Sequence, residues 1–175
     1  MKRPMRVIRQ RELYRGRIIR LIEEELECRG RRIIRETIRH PGAVVILPIL
    51  PDGRLVLVRQ YRRSVDQWLF ELPAGTRDRR ESEQACARRE LEEETGWRAA
   101  RLRRLSRFYA APGCLSERMT LFLATGLRRT TAHPEPDELL TPVTMTLRTA
   151  LQKIRTGAIC DAKTIIGVLW LRWNA

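Results

Sequence analysis

The sequence predicts a layered α/β or α+β domain, because short apolar runs bounded by turn residues crowd its first two thirds and helical periodicity appears in the middle and again at the end. Residues 6–39 hold three strand-like runs. Arg6–Arg11 is short, while Arg17–Glu27 and Arg31–Arg39 flank Cys28-Arg29-Gly30, where the glycine can supply a positive φ, so they read as a hairpin. Few of their residues are apolar. A sheet of this kind cannot bury itself and needs something to pack on, such as a second subunit.

After His40-Pro41-Gly42, the run Ala43–Leu50 reads as a buried central strand, and Pro51-Asp52-Gly53 as a tight turn into Arg54–Gln60. Trp68–Leu72 is a further strand entering Pro73-Ala74-Gly75. A helix is expected from Glu83 to Thr95, with Gly96 as a left-handed C-cap and Ala87 and Leu91 turned toward the sheet. Strands follow at Leu102–Tyr109 and Met119–Thr125, and then a polar loop, Arg128–Asp137. Leu147, Ala150, Leu151 and Ile154 have helical spacing that stops at Gly157. The last helix starts with Asp161 as N-cap and is expected to bury Ile165, Ile166, Leu169 and Trp173.

At 175 residues the chain suits one domain with a small appendage. Its apolar runs fall far short of the ~20 residues that a membrane-spanning helix needs. The basic start, Met1-Lys-Arg-Pro, has no apolar segment behind it, so no signal peptide is expected. Cys28, Cys86, Cys114 and Cys160 show no CxxC pairing, which argues against zinc or a disulfide framework and points to the cytoplasm. The net charge of +14 comes almost wholly from arginines spread end to end. Such a spread reads as compositional bias rather than a nucleic-acid footprint, with steering of a polyanionic small substrate as a by-product.

Chemistry concentrates between Gly75 and Trp97. Glu90, Glu93 and Glu94 are three and four residues apart, so a helix places them on one face, where like charges repel by about a few tenths of a kcal/mol per pair. A hard divalent cation would turn that repulsion into coordination. The stretch fits Gly-x5-Glu-x7-Arg-Glu-U-x-Glu-Glu-x-Gly-U, with U apolar, at Gly75, Glu81, Arg89, Glu90, Leu91, Glu93, Glu94, Gly96 and Trp97. A chance match to all these positions is on the order of one in a million.

This pattern resembles the Nudix box. Further motifs are similar to the ADP-ribose pyrophosphatase branch of that superfamily: Arg35-Glu36, His40-Pro41-Gly42-Ala43-Val44, Arg59-Gln60-Tyr61-Arg62, Glu71-Leu72-Pro73-Ala74-Gly75, Pro112-Gly113 with Ser116-Glu117-Arg118, and Asp161-Ala-Lys-Thr164. The resemblance implies a Nudix α/β/α sandwich with a mixed sheet over residues 41–175. It also implies an N-terminal antiparallel β-sheet over residues 1–40 that is used in homodimerisation. The implied metal ligands for Mg2+ or Mn2+ are Glu90, Glu93, Glu94 and the carbonyl of Ala74; Glu81 and Arg89 would brace the loop and helix by an ion pair. Arg35 and Arg62 would hold phosphate or ribose oxygens, and Glu117 would face the substrate.

The catalytic residues implied are Glu93 and a general base on the loop His133–Glu138, with Glu135 favoured and Glu138 next. The activity implied is metal-dependent hydrolysis of ADP-ribose to AMP and ribose 5-phosphate. The alternatives are another nucleoside diphosphate derivative such as GDP-mannose, or a non-catalytic Nudix sensor of ADP-ribose or nucleic acid. Three features depart from the branch: the basic stretch Arg77–Arg80, Arg17 near the place of a stacking aromatic, and the bulky Trp97.

Overall fold

The computed structural model describes residues 4–78 and 80–174, so the basic start Met1-Lys-Arg and Arg79 of the basic stretch lie outside the described residues. The chain divides into two compact units, Met1–Gly42 with Tyr109–Arg118, and Ala43–Phe108 with Met119–Ala175.

The first unit carries an antiparallel sheet in the order β1-β2-β3, formed by β1 (Arg6–Arg15), β2 (Arg20–Cys28) and β3 (Arg31–Arg39). β1 runs four residues beyond its expected end. Charge lines the extension: Glu12 pairs with Arg15 at 2.7 Å and lies 3.7 Å from Arg20 of the neighbouring strand. β2 begins only at Arg20, after a turn closed by Gly16 N–H donating to the Ile19 carbonyl at 2.9 Å. Ile22 and Leu26 are its buried side chains, whereas β1 is exposed along its whole length. The strap 109–118 extends β3, with Ile38 N–H donating to the Cys114 carbonyl and Ser116 N–H to the Ile38 carbonyl.

The second unit is built on β4 (Ala43–Pro48), the fully buried run expected from its composition. Its alternation splits the interior into two cores. Val44 and Ile46 pack with Cys86, Ala87, Leu91 and Phe122, while Val45 and Leu47 pack with Leu57, Leu72, Leu121, Ala150 and Val168. The first core is closed by α1 (Glu83–Thr95), the second by α2 (Leu147–Arg155) and α3 (Ala162–Asn174). An α/β/α sandwich results. Two sheets form the middle layer: β7-β4-β9-β8, with β7 (Ala74–Thr76), β9 (Arg118–Arg129) and β8 (Trp97–Tyr109), and β10-β5-β6, with β5 (Leu55–Arg62), β6 (Gln67–Glu71) and β10 (Leu140–Met145). The first is mixed, since β4 pairs with β9 in parallel and with β7 antiparallel.

Two elements depart from expectation. β10 lies in a segment with no strand signal, because Pro142 breaks the pattern; at the edge of its sheet a missing N–H is tolerated. α3 is turned away from its periodicity, leaving Ile166 37% and Trp173 77% exposed and burying Lys163, Thr164, Gly167 and Val168 instead. The cause is close contact, since a Cβ on Gly167 would strike Leu72, and a polar network described below holds the same face. By contrast, α1 begins and ends as expected, capped by Ser82, whose side chain accepts from Ala85 N–H, and by Gly96 at φ 66°.

Gly96 also lies against backbone: an added Cβ would stand 2.9 Å from Ala132 N and 3.1 Å from the Thr130 oxygen. Gly96→Ala is therefore expected to lose about 2 kcal/mol or more, from the left-handed conformation plus the clash. A urea midpoint that falls at unchanged slope would show it, and an unchanged midpoint would refute it.

Candidate active site

α1 buries two kinds of side chain on one flank. Ala87 and Leu91 are apolar contacts, and beside them Glu90 and Glu94 are also buried, Glu94 to 1% exposure. Gly75 makes room for them: a Cβ there would overlap the Glu90 carboxylate, so only a glycine allows this approach. Next to it, Ala74 N–H donates to Glu94 Oε2 at 3.2 Å. β7 and α1 thus meet as backbone against carboxylate.

Arg89 supplies positive charge at this edge. Its Nη1 lies 2.8 Å from Glu90 Oε1 and 2.8 Å from Glu93 Oε2, while Nε and Nη2 donate to the two Glu81 oxygens at 3.1 Å. The Arg89 guanidinium in turn holds the Glu81 carboxyl below its usual range. Glu81 therefore anchors the arginine that separates Glu90 from Glu93.

The carboxyls themselves are strongly perturbed. Burial, with added repulsion from Glu93 and Glu138, pushes Glu90 from 4.5 up to about 7 against the pull of Arg89. Glu94 is pushed well above 4.5, first by burial and then by the fields of Glu90 and Glu138. Burial raises Glu138 as well. These mutual effects make Glu90, Glu94 and Glu138 one electrostatic cluster.

Glu138 reaches the cluster because its loop is pinned at both ends. Thr130 N–H donates to the Gly96 carbonyl and His133 N–H to the Glu93 carbonyl, while Tyr61 N–H donates to the Leu139 carbonyl. Between these ties, Glu138 N–H donates to the Glu135 carbonyl at 2.9 Å and Glu135 N–H donates to Glu138 Oε2 at 3.1 Å, closing a turn. Glu138 is half-buried in consequence, and Glu135 is exposed.

A third arrangement backs the strand that leads into β7. Glu71, 1% exposed, receives Arg62 through Nε at 2.8 Å and Nη2 at 2.7 Å, and it also pairs with Lys163. Burial alone would raise Glu71, but Arg62 and Lys163 prevail and hold it below its usual range. Lys163 Nζ lies 3.1 Å from Asp161 Oδ1, and Asp161 Oδ2 accepts from Thr164 N–H at 3.0 Å and Thr164 Oγ1 at 2.6 Å. Thr164 Oγ1 accepts in turn from Leu72 N–H at 2.7 Å.

Of the residues singled out in the sequence, the second unit brings together Ala74, Glu90, Glu93, Glu94, Glu138 and Arg62, whose charge acts on both Glu94 and Glu138. Arg35 and Glu117 belong to the first unit. Arg35 is exposed on β3, with Nη1 donating to the Ile34 carbonyl at 3.0 Å. Glu117 lies 3.6 Å from His40 Nδ1, an atom that also accepts from Gly42 N–H at 3.1 Å and so presents a lone pair. Sequence reasoning assigned no role to Glu71, Lys163 or Thr164. The signals available were the motifs Glu71-Leu72-Pro73-Ala74-Gly75 and Asp161-Ala-Lys-Thr164 and a lysine near the start of a largely apolar helix.

A set of oxygen donors raised by burial suits a hard divalent cation, which would replace their repulsion by coordination. Among the described residues, no group of three His, Cys, Asp or Glu side chains is gathered closely enough to hold an ion. Instead, Arg89 Nη1 stands between Glu90 and Glu93 in the manner of a cation.

A row of buried glutamates on α1 thus lies against a glycine-bearing strand inside an α/β/α sandwich. The chain belongs to the family described as NUDIX domain, whose pattern matches residues 39–164. It is 35% identical over 170 residues to the methanol dehydrogenase activator of Bacillus methanolicus, covering 95% of this chain and 92% of that one. To the ADP-ribose pyrophosphatase of Bacillus subtilis (strain 168) it is 33% identical over 170 residues, covering 95% of this chain and 92% of that one. The fold is that of a solved ADP compounds hydrolase, with a TM-score of 0.85 at 24% identity, covering 97% of this chain and 93% of the other.

The perturbation of Glu90 has a measurable sign. Its carboxyl is raised from 4.5 to about 7 in the fold, so ionising it costs stability as pH rises through that interval. In metal-free protein, Glu90→Gln is expected to be more stable than the parent near pH 8 by on the order of 3 kcal/mol. The gap should close as the pH falls toward about 4.5. Urea denaturation across this range would read it, and a gap independent of pH would contradict the burial.

Proposed function

We propose that this chain hydrolyses the diphosphate linkage of ADP-ribose, or of a closely related nucleoside diphosphate sugar, giving AMP and ribose 5-phosphate from the former. The observation that carries the reading is the pair Glu90 and Glu94 packed against Gly75 and Ala74, with the charge of Glu138 acting on both. Similarity over nearly the whole chain to an ADP-ribose pyrophosphatase supports the choice of substrate.

Glu90, Glu93, Glu94 and the Ala74 carbonyl would hold Mg2+ or Mn2+. Such a cation, when bound, neutralises diphosphate oxygens that would otherwise repel an attacking water. Glu138 accepts the proton of that water: it is half-buried, raised in proton affinity and tied into the cluster, whereas the exposed Glu135 serves to close the turn beneath it. Arg62 directs positive charge toward the same cluster while Glu71 fixes its fork. Arg35 and Glu117 keep the substrate-binding roles that the family resemblance gives them. Residues 1–40 form the dimerising segment and 41–175 the hydrolase domain. The four cysteines, all free, suit a cytoplasmic protein.

Incubating the pure chain with Mg2+ and ADP-ribose is expected to release AMP, and EDTA to stop it. GDP-mannose run in parallel separates the second substrate reading by release of GMP. No product from either sugar nucleotide would sink the enzymatic claim in favour of a sensor. Glu94→Gln is expected to lower kcat by about 100-fold or more with the fold intact; retained turnover would remove Glu94 from the site.

The N-terminal sheet supports a dimer. Tyr14 is 58% and Ile34 63% exposed on one face of the sheet, an apolar surface that a second copy would cover. Light scattering is expected to give the mass of two chains, and a monomer at micromolar concentration would refute the assignment.

A further inference from the structure

From Glu71 to Gly75 every residue is held by another element of the second unit. Glu71 is held by Arg62 and Lys163, and Leu72 N–H by Thr164 Oγ1. The Pro73 carbonyl accepts from Ile46 N–H at 2.8 Å, Ala74 N–H donates to Glu94, and Gly75 lies against Glu90. Two of these six ties come from the first turn of α3, a helix that contributes nothing to the carboxylate cluster itself. Its orientation favours them over its own apolar side chains, leaving Ile166 and Trp173 exposed. A buried lysine–carboxylate pair gains little net stability over well-packed apolar residues, so stability alone does not account for the arrangement.

We propose that Thr164 and Lys163 are positioning residues for the cation cradle, fixing Leu72 and Glu71 so that the Ala74 carbonyl and the Glu94 and Glu90 carboxylates keep their mutual placement; this rests on the hydrolase reading of the site. The link between them is short and stiff. Pro73 has a fixed φ, and Leu72 and Ala74 are two strand steps apart, about 7 Å. Movement at Leu72 is thereby passed to Ala74 with little chance of being absorbed. Lys163 acts in parallel through charge. With Asp161 it balances Glu71 and Arg62, so that two cations face two anions. Without the lysine, Glu71 would draw on Arg62 alone, and Asp161 would lose its Nζ partner.

Mn2+ alone, titrated into the metal-free full chain and followed by its EPR signal, tests the proposal without any turnover. Thr164→Val removes the acceptor for Leu72 N–H at nearly constant volume and is expected to weaken Mn2+ binding about tenfold. Thr164→Ser, which restores the hydroxyl, should bind like the parent. Lys163→Met is expected to weaken binding and Lys163→Arg to recover part of it. Should Thr164→Val fail to fold, the Lys163 pair carries the same comparison. Folded Thr164→Val and Lys163→Met variants that both bind Mn2+ as tightly as the parent would overturn the proposal. A parent chain that takes up no Mn2+ would overturn the cradle reading, and this inference with it. In hydrolysis the expected signature is a higher Mg2+ concentration for half-maximal rate, recovered when Mg2+ is raised.

Discussion

The burial of like-charged carboxylates on one flank of α1 is the constraint to which the rest of the second unit answers. Glu90 and Glu94 sit among Ala87, Leu91 and the backbone of β7, where removing a carboxylate from water costs several kcal/mol unless charge or hydrogen bonds offset it. The offsets are distributed. Arg89 lies against Glu90 and Glu93 and Ala74 donates to Glu94, while burial still raises the proton affinity of Glu90 and Glu94. Gly75 contributes by having no side chain at all. A helix face that repels itself in this way is poorly suited to stability and well suited to a cation.

The sandwich serves this face by immobilising what lies opposite it. β4 alternates between two cores, so α1 on one side and α2 with α3 on the other are registered through a single buried strand. The strand leading into β7 is fixed from both layers, by Glu94 and Glu90 from α1 and by Thr164 and Lys163 from α3. The loop bearing Glu138 is tied separately to the end of α1 and to β5. The clustered carboxylates and the groups that support them therefore come from helix, strand and loop but depend on one shared interior.

Arginine enters this structure mostly as a local partner. In the first unit Arg6, Arg32 and Arg39 each face a glutamate across the sheet, at Glu27, Glu25 and Glu24. Exposed pairs of this kind contribute little individually, about 0–1 kcal/mol each. With the pairs that Glu12 makes to Arg15 and Arg20, they accompany a β1 that reaches Arg15 with few apolar residues, which hydrophobic patterning alone did not reveal. At the site the same residue type acts differently, since Arg89 and Arg62 are clamped by Glu81 and Glu71 and direct charge into a buried cluster.

The sequence by itself determined the elements whose signals are local. β4 was legible from its apolar run, α1 from its left-handed cap at Gly96, and the carboxylate face from the spacing of Glu90, Glu93 and Glu94. Local signals failed where distant contacts decided. β10 forms around Pro142 because an edge strand can spare one N–H, and α3 buries Lys163 and Thr164 because Glu71 and Leu72 wait for them. The balance between Glu135 and Glu138 was likewise beyond spacing, since both carboxylates lie on one loop and only its ties to α1 and β5 turn Glu138 inward. Periodicity and capping are properties of neighbouring residues, whereas desolvation and charge pairing belong to atoms that meet only after the chain has folded.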